Sequence, residues 1–233
     1  LIADTEADTI YANDTRSTYR SWYVLDGSEE EGYIPFQIAL SDLVGNSGED
    51  YSSTTDESSI LFDITPPDNF QLDSAYAVGG NEIFGYWNAS NNSIVLETPI
   101  SITDESLVGG SFQPLISIGG GEFENFGSPI EIVEVPETGS VFLEISGNIF
   151  ESMSNYADNI NAIFTTKIID KAGNETQGLS DGTIIHVDEI IPTLDSIRIS
   201  TNNELSSNWA TTSDNIALEW ISNEGLNNVI SII

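Results

Sequence analysis

Cysteine is absent from this sequence of 233 residues, which removes disulfides, thiolate metal sites and thiol nucleophiles together. Positive charge is scarce: 5 Lys+Arg stand against 38 Asp+Glu, a formal net charge of −33. Nucleic acids and anionic membrane surfaces both call for a basic face, so neither is expected as a partner. No run of about 18 apolar residues occurs, so no helical membrane insertion is expected. Nor does a basic n-region mark a signal peptide. The single histidine, His186, falls in an alternating stretch, where a surface or edge strand position is expected rather than a catalytic base. No poised serine accompanies it as a triad would require, and no enzyme activity is expected.

What is present is enough to build a core. Hydrophobic residues make up 39 %, with 10 Phe, 8 Tyr and 4 Trp, unlike acidic disordered tails. The apolar runs are short, rich in Ile, Val, Phe and Tyr, and bounded by Gly, Asn, Asp, Ser and Pro, as strands are. Tyr33 to Leu40 and Ser93 to Glu97 alternate. Further strands are expected over Phe112 to Ile118, Ile130 to Val135, Val141 to Ile145, Ile163 to Ile169, Thr183 to Val187 and Asn228 to Ile233. Only Asn148 to Asn161 carries a hint of helical spacing, through Ile149, Phe150, Met153 and Tyr156. The expected class is all-β, an antiparallel sandwich.

Two patterns recur. Asp42-Leu43-Val44-Gly45-Asn46 returns 128 positions on as Asp170-Lys171-Ala172-Gly173-Asn174. Trp87, Ile94, Leu96 and Glu97 return at a shift of 122 as Trp209, Ile216, Leu218 and Glu219. A unit therefore opens after proline, passes a Trp-bearing strand, and closes with Asp-x-x-Gly-Asn, a loop and a terminal strand. Proline cannot donate to a ladder and stiffens a joint, which places boundaries at Pro66/Pro67 and Ile191/Pro192. Residues 67–191 form a complete unit, 1–66 the closing half of one, and 192–233 the opening half of the next. The chain is thus expected to be a window of a longer array, or to be completed at its half-units by another subunit.

The run Phe84-Gly85-Tyr86-Trp87-Asn88-Ala89-Ser90-Asn91, then Asp104 to Gly110, then Asp170 to Asn174, resembles the bacterial immunoglobulin-like tandem repeats of large extracellular surface proteins and adhesins. Ile197 to Asn203 and Trp220 to Glu224 resemble the opening of a second, alternating repeat type, and residues 33–67 its close. The resemblance implies tandem immunoglobulin-like β-sandwiches with partial repeats at both ends. It also implies an extracellular, non-enzymatic role as a stalk, filament or surface-layer segment, with neighbouring repeats or subunits as partners. The alternative is an adhesin module that grips a glycan or protein ligand through aromatics such as Trp22, Tyr23, Tyr86 and Trp220. Trp87 and Trp209, at equivalent repeat positions, are expected to pack in a core or between domains.

The Asp-x-x-Gly-Asn segments admit two chemistries. One is a turn, in which aspartate accepts from its own backbone and glycine supplies positive φ. The other is calcium, a hard cation that takes six to eight oxygens from carboxylates and carbonyls. Asp42 and Asn46 with Asp63 and Asp68, and Asp170 and Asn174 with Asp188, are the candidate ligand clusters, although their spacing is not that of an EF-hand loop. The remaining acids are dispersed except at Asp26, Glu29, Glu30 and Glu31, as a solvated acidic surface would be. Glycosylation sequons stand at Asn13, Asn88, Asn91 and Asn174.

Overall fold

The computed structural model describes residues 9–12 and 19–226. The expected strand over 228–233 and the sequon at Asn13 lie outside them. Four short strands come first: β1 (Thr9–Ala12), β2 (Tyr19–Trp22), β3 (Gly32–Tyr33) and β4 (Leu61–Phe62). Next come β5 (Ser74–Val78), β6 (Tyr86–Trp87), β7 (Ser93–Pro99), β8 (Ser111–Ile118), β9 (Glu124–Asn125), β10 (Ile130–Glu131) and β11 (Ser140–Ser146). The helix α1 (Gly147–Glu151) precedes β12 (Asn161–Ile169), β13 (Glu175–Gln177) and β14 (Ile185–Val187). The described chain closes with β15 (Leu194–Thr201) and β16 (Ile216–Ser222). It is almost entirely β.

The central strands form two facing sheets, a β-sandwich-like arrangement. One has the order β11-β7-β5; the other has the order β10-β8-β12-β14-β6, with β9 on β8 and β13 on β12. All strand pairings are antiparallel except β14 with β6, which is parallel, as is the isolated bridge between Gln71 and Leu179. Ala75 and Ala77, Ile94 and Leu96, Leu143 and Ile145 point inward from the smaller sheet onto Phe112, Ile116, Phe164 and Ile168 of the larger. Between the sheets the buried hydroxyls of Thr98 and Thr166 meet at 3.0 Å. Every buried residue among those described lies between Pro67 and Val187.

The helical hint contracts to five residues. Phe150 of α1 plugs the end of the core, and successive turns through Met153 and Tyr156 continue it. Gly147 opens this helix because nothing larger fits: a Cβ there would lie 2.5 Å from Trp87 Cη2 and 2.9 Å from the Asn92 carbonyl oxygen.

Two expected strands are shorter than their sequence pattern. The Ile130–Val135 run keeps only β10, because the Ile132 amide turns to the Gly110 carbonyl and the Ile132 carbonyl accepts from Gly109. The alternating run Tyr33–Leu40 keeps β3 and isolated bridges at Phe36 and at Ile38, the latter to Tyr51. Pro35 offers no ladder donor. The comparable central strand, β12, has β8 alongside it over eight register pairs, and the described residues supply no such neighbour to Tyr33–Leu40.

The pairings of the central sandwich recur outside it. Ile169↔Glu175 is matched by Ser41↔Ser47, and Asn161↔His186 by Tyr33↔Leu61. On the other side, Ser74↔Glu97 and Ala75↔Leu96 of β5–β7 are matched by Arg198↔Glu219 and Ile199↔Leu218 of β15–β16. Glu97 accepts from the Ser74 hydroxyl at 2.9 Å, and Glu219 meets Arg198 at 3.8 Å. Two pairings within residues 19–66 thus match pairings of β12 with β13 and β14, and the β15–β16 register matches that of β5–β7.

Candidate functional site

Each Asp-x-x-Gly-Asn segment folds into a turn organised by its aspartate. Asp42 Oδ1 accepts from the amides of Val44 and Asn46, at 3.0 and 2.8 Å, while Asn46 Nδ2 donates to Oδ2 at 2.6 Å. Asp170 Oδ1 accepts from the amides of Ala172, Gly173 and Asn174 at 2.8, 2.7 and 2.9 Å, and Asn174 Nδ2 reaches Oδ2 at 2.9 Å. In both, the aspartate amide donates to the asparagine carbonyl and the glycine amide to the aspartate carbonyl. Gly45 and Gly173 sit at φ +92° and +99°, in the left-handed region that favours glycine. The Asn46 side-chain amide, followed by its backbone amide, holds the Asp42 carboxyl below the usual aspartate range. These donors satisfy the carboxylates as acceptors from within the turn itself.

The other candidate ligands are placed differently from the sequence grouping. Asp63 does not join Asp42. Its carbonyl oxygen accepts from Asn174 Nδ2 at 3.1 Å, and its Oδ1 accepts from the Thr65 amide at 3.0 Å. Nor does Asp188 join Asp170. The Asp188 amide donates to the Trp87 carbonyl at 2.8 Å, at the opposite end of β12. The reason is strand direction: β14 runs antiparallel to β12, so Val187 lies against Ile160, at the start of β12, while Asp170 follows its last residue. Asp68 is exposed beside a cleft of about 280 Å³ lined by Pro67, Phe70, Pro99 and Ile168. Among the described residues no group of three or more His, Asp or Glu side chains is gathered closely enough to hold a metal ion.

The joints between the sandwich and its flanks are well defined. Before the sandwich, Pro67 is buried and its carbonyl accepts from the Thr176 hydroxyl. Glu31 takes the Ile64 amide at 2.9 Å and the Thr65 hydroxyl at 2.7 Å, and these bonds hold its carboxyl below the usual glutamate range, the hydroxyl first. After the sandwich, the Glu189 amide donates to Asp158 Oδ1 at 2.8 Å. A cleft of about 480 Å³ there is lined by Tyr86, Asn88, Asp188, Glu189 and Pro192, among others.

The four tryptophans part company. Trp87 is fully buried, with its ring edge-on to Phe150. Trp220 is half-buried, whereas Trp22 and Trp209 are exposed, the latter at 76 %. Trp209 therefore does not share the packing of Trp87, because no second sheet lies over β15–β16 among the described residues. Beneath Trp87, the Tyr156 hydroxyl and Trp87 Nε1 are buried without a well-formed hydrogen bond. His186 is half-buried on β14, its Nδ1 2.9 Å from Asn161 Oδ1 and its ring edge-on to Tyr86. Neither a scan against protein-family models nor searches of curated proteins and of solved structures found a match to this chain.

Proposed function

We propose that this chain is a non-catalytic structural module: a stretch of tandem immunoglobulin-like β-sandwiches from a secreted cell-surface protein, serving in a stalk, filament or surface-layer segment. The observation that supports this reading is the recurrence of strand pairing. The Asp42 and Asp170 turns share their hydrogen bonds, and β15–β16 repeats the register of β5–β7. Repetition of one building block along a chain is how extended arrays are made. Proline at the joints restricts bending, and a net charge of −33 keeps acidic faces apart.

Single-molecule stretching tests this. The body from Pro67 to Val187 is expected to resist and then rupture cooperatively, releasing about 3.3–3.6 Å of contour per residue, while the flanks extend at low force. Smooth extension with no rupture removes the mechanical role.

A further inference from the structure

Both joints of the sandwich are fastened in one way. The pairing Tyr33↔Leu61 of the first flank matches Asn161↔His186 of the sandwich, so the residues that follow β4 and β14 stand at equivalent places. Each of these strands is followed by an aspartate, Asp63 or Asp188, and then by a residue whose amide a carboxylate takes. Ile64 donates to Glu31 Oε1 at 2.9 Å, and Glu189 donates to Asp158 Oδ1 at 2.8 Å. Each of these amides lies three residues before a proline, Pro67 or Pro192. Each accepting acid lies just ahead of the partner strand: Glu31 two residues before Tyr33, and Asp158 three before Asn161. The linkers themselves, Asp63-Ile64-Thr65-Pro66-Pro67 and Asp188-Glu189-Ile190-Ile191-Pro192, agree only in their first and last residues. What recurs between them is the bond.

We propose that the Glu31 and Asp158 carboxylates are joint clamps: each fixes the direction in which the chain leaves its strand for the next unit, by holding the linker amide three residues before the proline. The proposal rests on the repeat-module reading above and adds the element that makes a joint directional. Proline fixes its own φ and draws the residue before it toward extended backbone. Neither effect reaches the strand end, where one unrestrained residue swings the whole linker. A carboxylate bonded to the amide at that point removes this freedom. A hydrogen bond to an ionised acceptor is also roughly twice as strong as a neutral one.

The first linker is held from its far side as well. Asn174 Nδ2 donates to the Asp63 carbonyl at 3.1 Å, and the Thr176 hydroxyl donates to that of Pro67. Residues 63–67 are therefore held by the flank through Glu31 and by the sandwich through Asn174 and Thr176. Thr65 adds its hydroxyl to Glu31 at 2.7 Å, whereas Ile190 at the equivalent place has none, so the amide bond is the common element. At the second joint the Asp188 amide donates to the carbonyl of the buried Trp87 at 2.8 Å, one residue before the clamped amide. Asp158 is half-buried and Glu31 exposed. A hydrogen bond gains strength as water is withdrawn from it, so the second joint is expected to be the stiffer.

Distances between spin labels placed across each joint of the whole chain test this. The sequence has no cysteine, so exposed positions accept labels cleanly. Ser52→Cys with Ser128→Cys spans the first joint, and Ser128→Cys with Ser207→Cys the second. Each pair is expected to give one narrow distance distribution. Glu31→Ala is expected to lose it across the first joint and keep it across the second, and Asp158→Ala to do the reverse. Glu31→Gln and Asp158→Asn retain an oxygen that accepts the amide, and are expected to keep both. Pairs inside each body, Val44→Cys with Ser59→Cys and Ser128→Cys with Thr138→Cys, are expected to hold their distances in every variant. A change there assigns the carboxylate to the fold of its own body and overturns the clamp. So do broad distributions across the joints of the otherwise unaltered chain, or narrow ones that survive both alanine substitutions. The rupture of the sandwich under force is read on the unaltered chain, so the structural-module reading stands or falls separately.

Discussion

Trp87 and Phe150 meet edge to face, their ring centroids 5.2 Å apart and their planes at 88°. Phe150 in turn lies edge-on to Tyr156 and Phe126 and tilted against Phe164, so the short helix closes the sandwich by inserting one ring among four others. Aromatic pairs in this geometry contribute beyond their buried area. Replacing either partner by alanine leaves a cavity that the surrounding sheets fill poorly. Trp87→Ala and Phe150→Ala are each expected to cost about 3–5 kcal/mol in denaturant unfolding. Gly147→Ala, which drives a methyl into Trp87, is expected to cost about 1–3 kcal/mol through overpacking. Loss of less than about 1 kcal/mol in all three contradicts the assignment of this end of the core.

The two aspartate turns separate local geometry from global stability. Asp170 is only 3 % exposed and receives four N–H donors at the edge of the core. Asp170→Ala leaves those donors without their acceptor, and is expected to lower stability by about 1–3 kcal/mol. Asp42 makes nearly the same bonds on a flank in which none of the described residues is buried. Asp42→Ala is expected to leave the main unfolding transition where it was. Equal effects at the two sites mean that the first flank unfolds together with the sandwich.

Calcium gives a second contrast at the same turns. Their carboxylates accept from amides of their own loop, and strand direction sets Asp188 apart from Asp170. Thermal melts with calcium and with a chelator are therefore expected to coincide. A cation bound only by the folded state raises the midpoint in proportion to the logarithm of its concentration. A rise of that form establishes a calcium site and displaces the turn reading.

Much of the sandwich was legible from the chain alone. Short β-branched runs between Gly, Asn and Pro gave β7, β8, β11 and β12 to within two residues, because a strand buried against a second sheet needs those side chains. The spacing of Asp170 and Gly173 marked the turn, since aspartate and a positive-φ glycine are local requirements. What was not legible depends on neighbours. Among the described residues, Tyr33–Leu40 has the alternation of β12 without a β8 beside it, and Trp209 has the repeat position of Trp87 without a covering sheet. The grouping of Asp188 with Asp170 failed for a topological reason. Antiparallel return carries the end of β14 to the start of β12, and adjacency of that kind is invisible to sequence distance.

Acid titration should expose the turn chemistry of the first flank. Asp42, Glu31 and Asp56 are each held below the usual carboxylate range by hydrogen bonds: from Asn46, from Thr65 and Ile64, and from Ser58. Their folded values are depressed, so the stabilisation they give is present above the ordinary carboxylate pKa and is lost as pH falls through the lower folded one. Amide chemical shifts of Val44, Asn46 and Ser58 are expected to titrate with midpoints below those of an unstructured peptide. Midpoints equal to the peptide's mean that the turns are open in solution.

At the alkaline end the relevant group is Tyr156. Burial, and then the neighbouring Glu189 carboxyl, push its hydroxyl well above the ordinary tyrosine value of 10.0. The folded state thus prefers the neutral ring. Its contribution is whole below the ordinary tyrosine pKa and disappears as pH climbs toward the raised one, which favours unfolding in strong alkali. Tyrosinate absorbance is expected to show a late component that appears together with unfolding. Tyr156→Phe keeps the ring against Phe150 and removes the hydroxyl, so it is expected to abolish that component and to move the alkaline midpoint upward. Persistence of the late component in the phenylalanine variant assigns it to another tyrosine and removes Tyr156 from the account.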